Sequence, residues 1–358
     1  MAMDFKARVR TLRQALGNHR VDALVVTHMP NIRYLCGFTG SSGALLIGPD
    51  KATLFTDGRY TVQAREETRA ARLRIAKGSP SIAALYSLSR KRQTVGIEAD
   101  RVTVSLQSAL AKTAPKTRLK PLSGLIERAR MVKQPDEVLQ LKAAVMLASG
   151  LFEVLLHGIK PGVAESQVAA ELEYVARRSG AQGMSFETIV ASGPRSAMPH
   201  GVASDHPIPA SGFVVLDYGV ILAGYCSDMT RTVHVGPSGR KQRALYQAVL
   251  EAQLAAIDAV RPGVQAGKVD FAARKVLRKA GFDSYFTHST GHGVGLEIHE
   301  PPRLGKGQTE LLQPGMVITI EPGAYIPGLG GVRIEDMVLV TETGCQVLTP
   351  TSKELMIL

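Results

Sequence analysis

The chain of 358 residues has no tryptophan, only 5% aromatic residues and three cysteines. Its basic stretches carry no interleaved aromatics, so a surface on which nucleic-acid bases stack is not expected. Cys36, Cys226 and Cys345 are odd in number, far apart and without a CxxC pair. That excludes a disulfide framework and points to a reducing compartment. Long apolar runs are also lacking: no stretch is read as approaching the roughly 18 residues of a membrane helix. The opening MAMDFKARVR carries charge where a signal peptide needs an apolar run. A cytoplasmic protein with no membrane partner is the expectation.

Acidic residues are scarce in the first third. Residues 1–135 hold 24 Lys/Arg against 9 Asp/Glu, a net +15, whereas residues 136–358 carry −3. Such asymmetry marks a domain boundary near residue 130 and raises the question of a polyanionic partner. The basic run KARVRTLRQALGNHR, however, keeps Phe5, Val9, Leu12 and Leu16 at helical spacing, so its charges belong to a solvated helix face. No nucleic-acid partner is expected.

Residues 1–130 alternate helix and strand signals. A helix near Asp4–Gly17 precedes the strand DALVVT; ALLIG and ATLFT form strands around the turn GPDK; helical stretches at Arg59–Arg69 and Ser105–Lys112 flank a strand at TVGIE. This is a small α/β domain. Pro135, Asp136 and Glu137 then open a helix. Residues 131–358 contain a duplication, because IKPGV at 159–163 recurs as VRPGV at 260–264, and Gly180 recurs as Gly281, both at an offset of 101. Each PG motif follows a long helix and precedes a second one, after which the pattern turns to strands. Two related helix–helix–strand halves give an α+β domain with a ligand cleft between them.

Chemistry concentrates in HSTGHGVGLEIHE, where His288, His292 and His299 alternate with Gly291, Gly293 and Gly295. The i, i+4 histidines cannot be the helical pair of a zinc peptidase, since each glycine costs a helix roughly 1 kcal/mol. The segment is a loop or strand in which backbone approaches a ligand closely. Carboxylates end or interrupt apolar β runs elsewhere: Asp217 in VVLDYG, Asp228 in GYCSDMTRT, Glu321 in VITIEPGAY and Glu335 in GGVRIEDMVLV. With a turn centred on Leu222 and Ala223, Asp217 and Asp228 would face each other with Cβ atoms about 5 Å apart, and a cation should lie between them. Glu335 alone could pair with Arg333 as an ordinary ion pair. Taken together, four carboxylates and one imidazole suit two divalent ions of the Mn²⁺, Co²⁺ or Fe²⁺ type, which serve hydrolysis by activating water and polarising a carbonyl.

The series LDYG, GYCSDMTRT, HSTGHGVGLEIHE, EPGAY and VRIEDMVLVTE resembles the pita-bread-fold metallopeptidases, which include methionine aminopeptidase, prolidase and aminopeptidase P. The resemblance covers essentially the whole chain. It implies a pita-bread catalytic domain at 131–358 after a creatinase/prolidase-type α/β domain at 1–130, with Asp217, Asp228, His292, Glu321 and Glu335 as ligands of a dinuclear centre. NIRYLCGFTGSSG, TDGRY and GPRSAMPHG, which supplies His200, are similar to the proline-specific branch. That branch implies cleavage of the Xaa–Pro bond, a homodimer, and manganese or cobalt as the metal, with iron or zinc as alternatives. Glu321 is assigned to take and relay the proton of the nucleophilic water. His200 and His299 stabilise the oxyanion. His288, Tyr325 and Arg333 contact the proline end, Arg333 receiving a carboxylate. An Xaa-Pro aminopeptidase is the expected activity, with a strict Xaa-Pro dipeptidase as the alternative. A non-catalytic peptide- or nucleic-acid-binding module, or a metal-free C–N hydrolase of the same fold, would be expected to lack ligands that this chain keeps.

Overall fold

A computed structural model describes residues 3–89 and 92–358, and the chain divides into two compact units, Met1–Arg130 and Met131–Leu358. In the first, a six-stranded sheet runs in the order Arg72–Ala76, Ala52–Asp57, Ala44–Ile47, Ala23–Val26, Gln93–Glu98, Thr117–Leu122. The central Ala23–Val26 is buried along its whole length, parallel to Gln93–Glu98 and antiparallel to Ala44–Ile47. The helix Phe5–Asn18 starts where the Asp4 carboxylate accepts the Ala7 amide at 2.9 Å, and it buries Val9, Leu12 and Leu16 as its spacing predicts.

Both outer strands escape sequence periodicity because they are studded with charge. Arg72, Arg74, Arg118 and Lys120 sit on them, and the first three are exposed. Charged side chains on an edge strand blunt pairing with a second chain. Part of the positive excess of this unit is thereby a property of its sheet edges.

The second unit shows the duplication as bonding. Gly162 and Gly263 both have positive φ and donate their amides to Ile208 and Leu312 at 2.8 Å, and those two residues donate back to Val163 and Val264. The helices Glu165–Arg178 and Ala266–Lys279 each end before a left-handed glycine, Gly180 and Gly281. The next amides, of Ala181 and Phe282, reach back to Ala176 and Leu277, which is the bond pattern of a glycine-terminated helix. Each half has its own core: Leu151, Leu155, Leu172, Val214 and Leu216 in one, Leu245, Val249, Leu277, Ile318 and Val338 in the other.

By length and composition the helical stretch 135–158 reaches the hydropathy of a membrane span, contrary to the expectation that no such run exists. Its apolar face is nonetheless occupied, with Leu141, Ala144, Val145, Ala148, Phe152 and Leu155 buried within the unit. A core helix of a folded domain meets the same criterion.

Two antiparallel arrays carry the chemistry. One is three-stranded, ordered Met229–Val235, Gly212–Tyr218, Ile189–Ser192. The other is five-stranded, ordered Glu300–Leu304, Gly291–Gly293, Val317–Ile320, Asp336–Val340, Cys345–Val347.

Candidate metal centre and cleft

The hairpin that carries both aspartates turns one residue later than the sequence suggests. Ala223 and Gly224 have φ of 47° and 76°, the left-handed pair of a two-residue type I′ turn, whose twist matches that of the strands. Leu222 therefore pairs with Tyr225, and Asp217 pairs with Thr230. The expected direct opposition of Asp217 and Asp228 is corrected: they are diagonal neighbours on one face, where Cα atoms lie about 7–8 Å apart. That spacing eases like-charge repulsion and leaves room between the carboxylates.

The structure brings the other candidates to the same place. His292 lies in the short strand Gly291–Gly293, Glu321 follows Val317–Ile320, and Glu335 lies between Gly330–Arg333 and Asp336–Val340. His292 Nε2 is 3.6 Å from Asp228 Oδ2 and 3.4 Å from Glu321 Oε1. Its Nδ1 lies 3.0 Å from the Gly293 carbonyl, which fixes the proton there and leaves the Nε2 lone pair facing the carboxylates. Ligand atoms of Asp228, His292 and Glu335 lie within 4.8 Å of one another. Thr230 Oγ1 donates to Glu335 Oε2 at 2.7 Å, so the threonine opposite Asp217 aims Glu335. Among the described residues, no partner reaches the buried Asp217 Oδ1 or Glu335 Oε1. Buried carboxylate oxygens without a partner are costly unless a cation meets them, and this donor set of oxygens with one imidazole fits divalent ions.

Electrostatics agree. Burial, then the neighbouring carboxylates led by Glu335, drives the Asp228 carboxyl well above its ordinary range; burial, then Glu321 and Asp217, does the same to Glu335. Glu321 is pushed up to about 7 by burial and by Asp217, against the pull of Arg333. Burial lowers His292 to about 4 and His288 to about 3, and it lowers His299 as well. The imidazoles are neutral at pH 7, as ligands and hydrogen-bonding groups need to be.

A prediction follows for the metal-free protein. The folded state of Glu321 holds its proton up to about 7, against 4.5 for the ordinary group, so between those values the folded chain binds more protons than the unfolded one. Stability from this group is therefore lost as pH rises through that window. A divalent ion, which displaces protons, should raise the melting temperature more at pH 8 than at pH 5. Thermal melts with EDTA or Mn²⁺ at both values check this, and equal gains would count against the cluster as the metal site.

Arg333 is placed differently from its expected role. Its guanidinium donates to Asp217 Oδ2 at 2.5 Å, to the Tyr325 hydroxyl at 2.7 Å, to the Pro199 carbonyl at 3.0 Å and, from Nε, to Thr230 Oγ1 at 3.1 Å. With its donors so engaged and its side chain 4% exposed, it holds the Asp217 carboxylate and has little donor capacity left for a substrate carboxylate. It is a cation in contact with Asp217. The alternative pairing of Arg333 with Glu335 is not what forms. Tyr325 continues the chain, its hydroxyl lying 2.9 Å from His288 Nε2.

A cavity of about 920 Å³ opens over this cluster, lined by His200, His288 and His299 together with the carboxylates and His292. The His299 ring stands edge-on to His292, with centroids 4.4 Å apart. Phe186, Ile189, Val202 and Ile298 supply an apolar wall. Sequence reasoning missed Arg303. It is the strand partner of His292 and lines the same cavity; Arg333 lines it too but is buried, whereas Arg303 is exposed. The signal was in reach: Arg303 follows His299 by four residues, on a strand that returns along the histidine loop.

Comparisons with known proteins bear on the same residues. The model of "Metallopeptidase family M24" matches residues 140–342, and that of the "Creatinase/Prolidase N-terminal domain" matches residues 8–132. An Xaa-Pro dipeptidase of Pyrococcus furiosus is 38% identical over 352 residues, covering 98% of this chain and 100% of its own. The solved structure of an Xaa-Pro dipeptidase from Bacillus anthracis superposes with a TM-score of 0.95 at 40% identity, covering 99% of this chain and 100% of that one. An X-Pro aminopeptidase structure from Thermotoga maritima follows at 0.88 and 35%, covering 97% and 99%.

Proposed function

Since the chain belongs to metallopeptidase family M24, we propose that it is a metal-dependent hydrolase of the Xaa–Pro bond whose preferred substrate is the free Xaa-Pro dipeptide. The observation that carries the reading is one cavity in which five ligand side chains, three histidines and an exposed arginine converge. The names of the P. furiosus and B. anthracis relatives support the dipeptide. The T. maritima relative supports the longer-substrate reading, and assay separates the two.

Asp217, Asp228, His292, Glu321 and Glu335 would hold two divalent ions, manganese in our reading. Bound there, such ions supply Lewis acidity and a water of lowered pKa. Glu321, at about 7 before any cation is bound, is matched to accept and pass on a proton near neutral pH. His200 and His299, which line the cavity, would offer hydrogen bonds to the developing oxyanion. Proline lacks an amide proton and has a fixed φ, so its ring needs apolar wall more than donors, and Phe186, Ile189 and Val202 provide it. Arg303 takes the substrate carboxylate, which in a dipeptide sits directly on the proline.

Metal-free protein reloaded with Mn²⁺, Co²⁺ or Zn²⁺ and assayed on Xaa-Pro, Xaa-Pro-Xaa and Xaa-Ala tests this. Xaa-Pro should be cleaved fastest, with about two ions bound per chain at saturation. Preference for Xaa-Pro-Xaa would return the activity to an aminopeptidase, and inactivity on both sinks the proposal. Arg303→Met should raise KM for Xaa-Pro by about 10- to 100-fold with kcat within a few-fold, because a hydrogen bond to a charged group contributes about 1.5–3 kcal/mol. An unchanged KM would remove Arg303 from the site. We further propose a homodimer, to be checked by sedimentation. The cysteine count, three and far apart with no CxxC pair, supports a cytoplasmic location.

A further inference from the structure

The segment carrying His288 is gripped from behind by the helix Ala266–Lys279. Asp270, on the buried side of that helix, accepts the amide and hydroxyl of Thr290 through Oδ1 at 3.2 and 2.8 Å. Its Oδ2 accepts Nε of Arg274, one helical turn on, at 2.8 Å. Arg274 then donates to the carbonyls of Phe286 at 3.0 Å and of His288 at 2.5 Å. Its guanidinium also lies over the Phe286 ring, 4.2 Å from the centroid, and that ring meets the imidazole of His288 edge-on at 5.0 Å. On the far side His288 Nε2 meets the Tyr325 hydroxyl at 2.9 Å.

We propose that Asp270 and Arg274 are positioning residues for His288. They pin the 286–290 segment at two carbonyls, one amide and one hydroxyl, so that the imidazole is held between Phe286 and Tyr325 facing the cleft. Neither residue lines that cleft. Asp270 is buried and Arg274 partly so, and a pair of this kind contributes little stability that apolar residues of equal volume could not. A planar guanidinium instead fixes two carbonyls at once; its contribution is geometric. The inference rests on the reading of the cleft as the peptide site.

Arg274→Met, which keeps the aliphatic stem, is tested in Mn²⁺-loaded protein. Its kcat/KM on Xaa-Pro should fall about tenfold, chiefly through KM, while the Mn²⁺-induced gain in melting temperature stays as in wild type. In a His288→Ala background the same change should lower kcat/KM less than twofold, because residues acting through one another are not additive. Equal losses in both backgrounds, or none in either, would overturn the proposal. If Arg274→Met does not fold, Arg274→Lys, which keeps the charge and one donor, is read in the same cycle and should lie between. Should wild type cleave no Xaa-Pro substrate, the functional reading fails and ¹⁵N-histidine spectra decide this one. The His288 ring signals should move in Arg274→Met while those of exposed His157 stay in place, and an unmoved His288 would sink it.

Discussion

Asp228→Asn is expected to keep the fold and to lower turnover by at least about 10³-fold, the scale of several kcal/mol of lost metal-based transition-state stabilisation. Asp228 is 5% exposed, and its neighbours Glu335, Asp217 and Glu321 all resist its ionisation. The amide is nearly isosteric and relieves that repulsion, so the metal-free variant should melt no lower than metal-free wild type. With Mn²⁺ the order should reverse, since ligand bound only by the native state stabilises it by mass action and the variant binds less. A change that helps the empty protein and harms the loaded one separates a ligand from a structural carboxylate. Scanning calorimetry with EDTA and with Mn²⁺, beside a turnover assay, reads both arms. Wild-type turnover with an unaltered metal-dependent shift would take Asp228 out of the site.

Gly291→Ala should be a severely damaging single-atom addition beside the cleft. A Cβ at Gly291 would stand 1.9 Å from the backbone oxygen of Thr319, and no side-chain rotation can clear a main-chain atom. Overpacking costs about 1–3 kcal/mol where neighbours can yield, so here roughly 3 kcal/mol or more is expected, a fall of about 6–12 °C in melting temperature for a domain of this size. Relief would come only by parting Gly291–Gly293 from Val317–Ile320, which carries His292 away from Glu321. Activity and the Mn²⁺-induced stabilisation should therefore fall together with the melting temperature. Gly150→Ala is the control, since nothing lies within 4 Å of its added atom; there stability should hold or rise slightly. A Gly291→Ala protein as stable and active as wild type would mean that the two strands do not need this close approach.

The site residues differ in how legible they were. A carboxylate at the end of an apolar strand is visible in any sequence, because its desolvation demands a reason; Asp217 and Glu321 stand out this way, whereas Asp228 and Glu335 gain weight only when taken together with them. The duplication was legible because a turn with positive φ calls for glycine at the same place in both halves. The charged outer strands of the first unit were not, since periodicity reports a buried face and an edge strand has little of one.

What the sequence by itself determined is therefore the inventory: two units divided near residue 130, a repeated helix–helix–strand plan, and a set of candidate ligands rich in carboxylate oxygens beside a histidine-bearing glycine loop. Tertiary structure decided the pairings. The hairpin register turned on left-handed backbone at Ala223 and Gly224, and a shift of one residue moved Asp217 from Asp228 to Thr230. Arg333 and Arg303 are alike as letters; burial against Asp217 and Tyr325 engages one, and a place on the strand beside His292 leaves the other facing the cleft. A hydrogen bond is a relation between residues distant in the chain, here 116 positions for Arg333 and Asp217, and no local pattern encodes which of several possible partners the folded backbone will bring within reach.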